Sequence, residues 1–98
     1  MNQNEKLIEN MKEFDKKRLP KWFKGALYDE GEEVTNPYSG QSIELDNVEL
    51  SMYDFINGAN FLYEMGGLST DSKVLKELQL GMQWFRKNNA EAYMVLLD

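Results

Sequence analysis

Seven carboxylates gather around one short stretch of this chain: Asp29, Glu30, Glu32, Glu33, Glu44, Asp46 and Glu49. Grouped carboxylates can exchange protons, hold a hard cation through oxygen ligands, or face a basic protein surface. The interval around them, between Lys24 and Lys73, runs for forty-eight residues without Lys or Arg and holds ten of the seventeen acidic residues. From Asp29 to Glu64 the charge is −9, whereas residues 1–28 carry seven basic against four acidic side chains and residues 65–98 balance at four each. A surface so polarised attracts basic partners and repels nucleic-acid phosphate. The plain alternatives are a solvated acidic face or an internal match to the basic N-terminal segment. A calcium or magnesium site lacks the Asp-x-Asp-x-Asp-Gly spacing that would specify one.

Other chemistry is narrowed by what is missing. The chain has no Cys and no His, which removes thiolate nucleophiles, disulfides, Cys-based zinc sites and the usual base near neutral pH. Catalysis would have to rest on carboxylates, hydroxyls, Lys or a hard metal ion, so the residue set argues against an enzyme and implies no cofactor. The segment Lys16-Lys17-Arg18-Leu19-Pro20-Lys21-Trp22-Phe23-Lys24 interleaves cations with aromatics, a pattern that can bind phosphate and stack on bases. A net charge of −6 opposes polyanion binding, and Trp22 and Phe23 fall where core residues are expected, so direct nucleic-acid contact is not expected.

Two further groups concern packing and association. Gly58, beside the polar residues Tyr53, Asn57 and Asn60, and Gly81 later in the chain are small residues within helical patterns, where they cost stability unless something approaches closely. A crossing of helices at Gly58 and Gly81, within one chain or between two, would account for both. Leu80, Trp84, Met94 and Leu97 exceed what one stripe of a small core requires, and with the two glycines they form a candidate self-association surface.

The elements that must position these groups can be read from periodicity. Leu7, Ile8, Met11 and Phe14 mark an amphipathic helix over about Asn4 to Arg18, which Pro20 interrupts, and a second helix is expected from about Pro20 to Tyr28, burying Trp22, Phe23, Ala26 and Leu27. Asn36-Pro37-Tyr38-Ser39-Gly40 signals a hairpin at about 33–45, with Val34 opposite Ile43 on the buried side and Glu33 opposite Glu44. Asp46 or Asn47 caps a third helix with Glu49 in its first turn and Val48, Met52, Phe55, Ile56, Ala59, Leu62 and Tyr63 inward; Gly66-Gly67 stops it. Ser69 or Thr70 caps a fourth helix reaching about Lys87, with Leu75, Leu78, Met82 and Phe85 inward. Asn88-Asn89 precedes a last helical segment, about Ala90 to Leu97, anchored by Tyr93, Leu96 and Leu97. The expected fold is therefore α+β and predominantly α-helical, a single domain over 1–98 with four to five helices and one β-hairpin.

Three of these segments carry a resemblance. Asn36-Pro37-Tyr38-Ser39-Gly40, Tyr53-Asp54-Phe55-Ile56-Asn57-Gly58-Ala59 and Trp84-Phe85-Arg86-Lys87-Asn88-Asn89 through Leu97-Asp98 resemble parts of small uncharacterised proteins of tailed bacteriophages, over about residues 26–98. The resemblance implies expression in an infected bacterial cytoplasm and transfers no residue role. The polar N-terminus and the lack of a long apolar run fit a cytoplasmic location and no membrane partner. The function expected is non-catalytic: a binding or assembly protein, a homo-oligomer, whose acidic region meets a basic host or phage protein. The alternative is a small-ligand binder of nucleotide type, using Lys and aromatic residues at a subunit interface.

Overall fold

The computed structural model describes residues 17–67 and 72–98. Strand β1 (Glu32–Thr35) and strand β2 (Ser42–Leu45) are followed by helices α1 (Asn47–Glu64), α2 (Lys73–Asn88) and α3 (Ala90–Leu96). The architecture is α+β with helices predominating, as expected. The helix count is three among the described residues rather than four to five.

The hairpin forms in the register the turn chemistry demands: Glu32 pairs with Leu45, Glu33 with Glu44, Val34 with Ile43 and Thr35 with Ser42. Gly40 takes a φ of 78°, a left-handed value at which other residues are strained. The Asn36 carboxamide shapes the turn by accepting from the Tyr38 amide at 2.8 Å, while its own Nδ2 donates to the Val95 carbonyl at 2.9 Å and pins the hairpin to α3. Leu45 is buried and Val34 and Ile43 pack against the core, so the ribbon, too small to stand alone, rests on the helices.

Helix α1 starts at a capping box. The Asp46 carboxylate accepts from the Glu49 amide at 2.8 Å and the Glu49 carboxylate accepts from the Asp46 amide at 2.9 Å, satisfying two amides that the helix leaves unbonded. It ends in a Schellman arrangement, with Gly66 bonding back to Tyr63 and Gly67 to Leu62. Val48, Met52, Ile56 and Ala59 are buried as the periodicity predicts, joined by Leu50 and Ser51. Leu62 and Tyr63, expected inward, are exposed. The last turn of α1, with Phe61 and Met65, is exposed from residue 61 onward.

Helix α2 is capped by Ser72, whose hydroxyl accepts from the Val74 amide; the caps expected at Ser69 or Thr70 lie outside the described residues. It buries Leu78, Gly81 and Phe85. Asn89 then serves two helices: its amide closes α2 onto the Phe85 carbonyl, and its side-chain oxygen caps α3 by accepting from the Ala92 amide at 3.0 Å.

The segment before the hairpin departs from expectation. Residues 4–16 of the expected first helix lie outside the described residues, and its last two, Lys17 and Arg18, lie in a turn. No helix forms from Pro20 to Tyr28. A single turn closes with the Phe23 amide on the Pro20 carbonyl at 3.0 Å, and the chain then runs irregularly. A nine-residue helix containing Gly25 is marginal by itself, and its apolar residues find partners without one. Trp22 and Phe23 lean on Phe55 with ring centroids 5.7 and 5.8 Å away. The Tyr28 amide, instead of bonding within a helix, donates to the Ser51 hydroxyl at 3.0 Å. Ala26, expected to be buried, is exposed.

Candidate functional site

Leu50, Tyr53, Asp54 and Asn57 lie at i, i+3, i+4 and i+7 on α1, one face of the helix. That face forms a wall of a groove of about 310 Å³ whose other walls are Tyr28 and strand β1 from Glu32 to Thr35. The buried Ser51 hydroxyl holds Tyr28 over α1: it accepts from the Tyr28 amide and donates to the Asn47 carbonyl at 2.7 Å. Glu32 shares one face of the pleat with Val34, which packs against the core, whereas Glu33 shares the outer face with Thr35. The groove is thus lined by two tyrosines, the carboxylates of Glu32 and Asp54, the Asn57 amide, Leu50 and Val34, with Glu33 and Thr35 at the β1 edge, and no basic side chain is among the residues that form it.

The electrostatics of the groove register on Tyr28. The Asp54 charge, followed by partial burial, a hydrogen bond with Asp54 and the Glu32 charge, raises the Tyr28 phenol above its usual pKa of 10.0. Each acts against placing another negative charge there. A positive group would meet the opposite: two carboxylates facing a tyrosine edge, a setting that receives an ammonium or guanidinium through charge-assisted hydrogen bonds.

The seven hairpin carboxylates divide by role. Glu32 and Glu33 line the groove, and Glu44 opposes Glu33 across the strands. Asp29 and Glu30 are exposed on the approach to β1. Asp46 and Glu49 are engaged in holding the chain together: Asp46 pairs with Arg18 at 2.7 Å, and Glu49 accepts from Asn89 Nδ2 at 2.9 Å. Arg18 is held in turn by its carbonyl, which accepts from the Trp84 indole at 3.1 Å. Among the described residues, no three carboxylates converge as a metal site would require.

The self-association candidates also separate. Gly81 is buried, and a Cβ there would meet Met52 Sδ at 3.2 Å and Ile56 and Trp22 at 3.5 Å. Gly58 is exposed, and a Cβ there would have nothing within 4 Å, so no Gly58–Gly81 crossing forms within the chain; α1 presents the side chains of Met52 and Ile56 to Gly81 instead. Trp84 and Leu97 are half-buried against the core. Leu80 and Met94 remain 40% and 67% exposed.

A second concavity, about 480 Å³, is lined by Leu19, Pro20, Lys21, Phe23, Lys24, Gly25 and Leu27. It gathers two of the lysines and one aromatic residue of the basic segment. No helix among the described residues is long and apolar enough to cross a membrane.

Sequence reasoning singled out Tyr53 and Asn57 as polar residues of a helix and Glu32 and Glu33 as part of an acidic run, but missed Tyr28 and Asp54. The mixed stripe Leu50, Tyr53, Asp54, Asn57 was the available signal, since it is a second helical face at the same spacing as the core face. Comparison of the chain with protein-family models, with curated proteins and with solved structures finds no match.

Proposed function

We propose that this protein acts without catalysis, by binding a basic protein surface through the acidic groove between β1 and α1. The observation that carries this reading is the composition of the groove: Glu32 and Asp54 with Tyr28 and Tyr53, Glu33 at its rim, and no cation in the lining. The resemblance to small phage proteins supports a host or phage protein in the bacterial cytoplasm as that partner. Association driven by such a field is fast at low salt and weakens as salt screens it. The test is affinity capture from bacterial lysate, followed by titration of the recovered protein against salt. Double replacement Glu32→Gln with Asp54→Asn should weaken binding at least about tenfold, the loss expected for charge-assisted contacts, with the circular dichroism unchanged. Salt-independent affinity, or full binding by the doubly neutralised protein, would exclude the acidic-groove mechanism.

One observation favours a second reading, a small anionic ligand of nucleotide type. The concavity at Leu19–Leu27 offers Lys21 and Lys24 beside the Phe23 ring, cations and a stacking surface together. Calorimetric titration with nucleoside mono- and triphosphates tests it, and a lack of heat at millimolar ligand removes it.

A further inference from the structure

The proposed binding mode can be carried further, and the step rests on the acidic-groove reading. The sheet has two strands, ordered β1–β2, so among the described residues the side of β1 away from β2 has no strand beside it. Which backbone groups face that side follows from the register. The Asn36 amide donates to the Gln41 carbonyl at 2.8 Å, and hydrogen-bonded pairs alternate with non-bonded ones in an antiparallel ladder. Val34 and Glu32 therefore bond to β2, and Glu33 and Thr35 turn both their N–H and their C=O outward. Both residues line the groove, with the α1 face of Leu50, Tyr53, Asp54 and Asn57 opposite.

From this geometry we infer that the groove receives an extended, basic peptide segment of the partner, which adds to β1 as a third strand. Backbone hydrogen bonds to Glu33 and Thr35 set its register. A side chain on the inner face of such a strand, opposite Glu32, lies between Glu32 and Asp54 beside the Tyr28 ring; one on the outer face lies against Glu33, with Glu44 behind it. Lys or Arg at either position is matched, and Asp or Glu at either is opposed. The same charges select against a second copy of this chain: β1 pairing with its own counterpart would bring Glu32 and Glu33 against like charges, an arrangement that edge strands use to prevent self-pairing.

The test uses the full chain and two fluorescein-labelled peptides of roughly eight residues, long enough to overlap a typical strand at both ends. One alternates Lys and Thr; the other has the same sequence with every internal amide N-methylated, which keeps the charge and removes the donors. Anisotropy at low salt should show the unmethylated peptide binding about tenfold or more tightly. Hydrogen exchange followed by NMR should show the Glu33 and Thr35 amides slowed only by that peptide. Equal binding of the two peptides, or unchanged exchange at Glu33 and Thr35, overturns strand addition while leaving the acidic-groove reading intact. Binding of neither peptide overturns both.

Discussion

Replacing Gly31 with Ala should be among the most damaging single-carbon changes this protein can suffer. Gly31 lies between Tyr28 and β1, where the chain passes the end of β2, and an added Cβ would fall 2.2 Å from the Leu45 carbonyl oxygen and 2.9 Å from the Asp46 Cα. Both distances are below the 3.0 Å that real Cβ atoms keep, and both neighbours are backbone, so no rotamer change relieves them. Leu45 is buried, and Asp46 opens the capping box of α1. Relief therefore requires β1 to move away from β2 or α1 to lose its cap. Overpacking of this kind costs about 1–3 kcal/mol, and a contact made only with backbone belongs at the upper end, about 2–3 kcal/mol. For a chain of this size that corresponds to a fall in melting temperature of roughly 10–20 °C. The control is Gly58→Ala. Gly58 is exposed within α1 and nothing lies within 4 Å of its Cβ position, so Ala should stabilise by about 1 kcal/mol through helix propensity alone. Urea unfolding followed by circular dichroism measures both. Equal midpoints for Gly31→Ala and the parent would show that β1 does not pass so close to the start of α1, and would remove the basis for the groove.

Four further outcomes follow from other parts of the molecule. The Tyr28 phenol is held above its usual value chiefly by Asp54, so the absorbance titration of the parent minus that of Tyr28→Phe should place Tyr28 above about 10, and Asp54→Asn should lower it. Its contribution to stability is complete below the unfolded pKa of about 10 and is lost as pH rises through the higher folded value. Unfolding free energy should therefore fall more steeply above pH 10 in the parent than in Tyr28→Phe. Asn89→Ala removes the α3 cap and the bond to Glu49 together and should cost about 1–2 kcal/mol by urea unfolding. Gly40→Val places a branched side chain at a φ of 78° and should lower the melting temperature, by about 1–2 kcal/mol of strain; unchanged melting would disprove the left-handed turn. Self-association, if it uses the remaining exposed apolar groups, should be abolished by Leu80→Lys with Met94→Lys in sedimentation at about 0.1 mM, whereas Trp84→Glu should instead destabilise the fold because Trp84 packs on the core and bonds to the Arg18 carbonyl.

The features legible in the sequence are those whose cause is local. Pro37 and Gly40 define a turn within a few residues, and that turn fixes the hairpin register down to the Glu33–Glu44 pair. Asp46 with Glu49, Gly66 with Gly67, and Asn89 mark helix ends through hydrogen bonds that span no more than five positions. The inward stripe Val48, Met52, Ile56, Ala59 follows from the helical period alone.

Tertiary structure decided everything that depends on what lies across a gap. Trp22, Phe23 and Leu27 carry a burial requirement that a helix could meet, but Phe55 and the core meet it without one, and periodicity cannot distinguish those outcomes. Gly58 and Gly81 look alike in sequence; only the position of Met52, Ile56 and Trp22 makes Gly81 a close approach and leaves Gly58 open. Leu62 and Tyr63 continue the apolar stripe yet stay exposed, because the stripe fixes a direction around the helix and says nothing about how far along it the neighbouring elements reach. The groove is of the same kind. Tyr28 and Asp54 are twenty-six positions apart in the sequence, and they meet because one buried hydroxyl, Ser51, accepts the Tyr28 amide and holds that segment on α1.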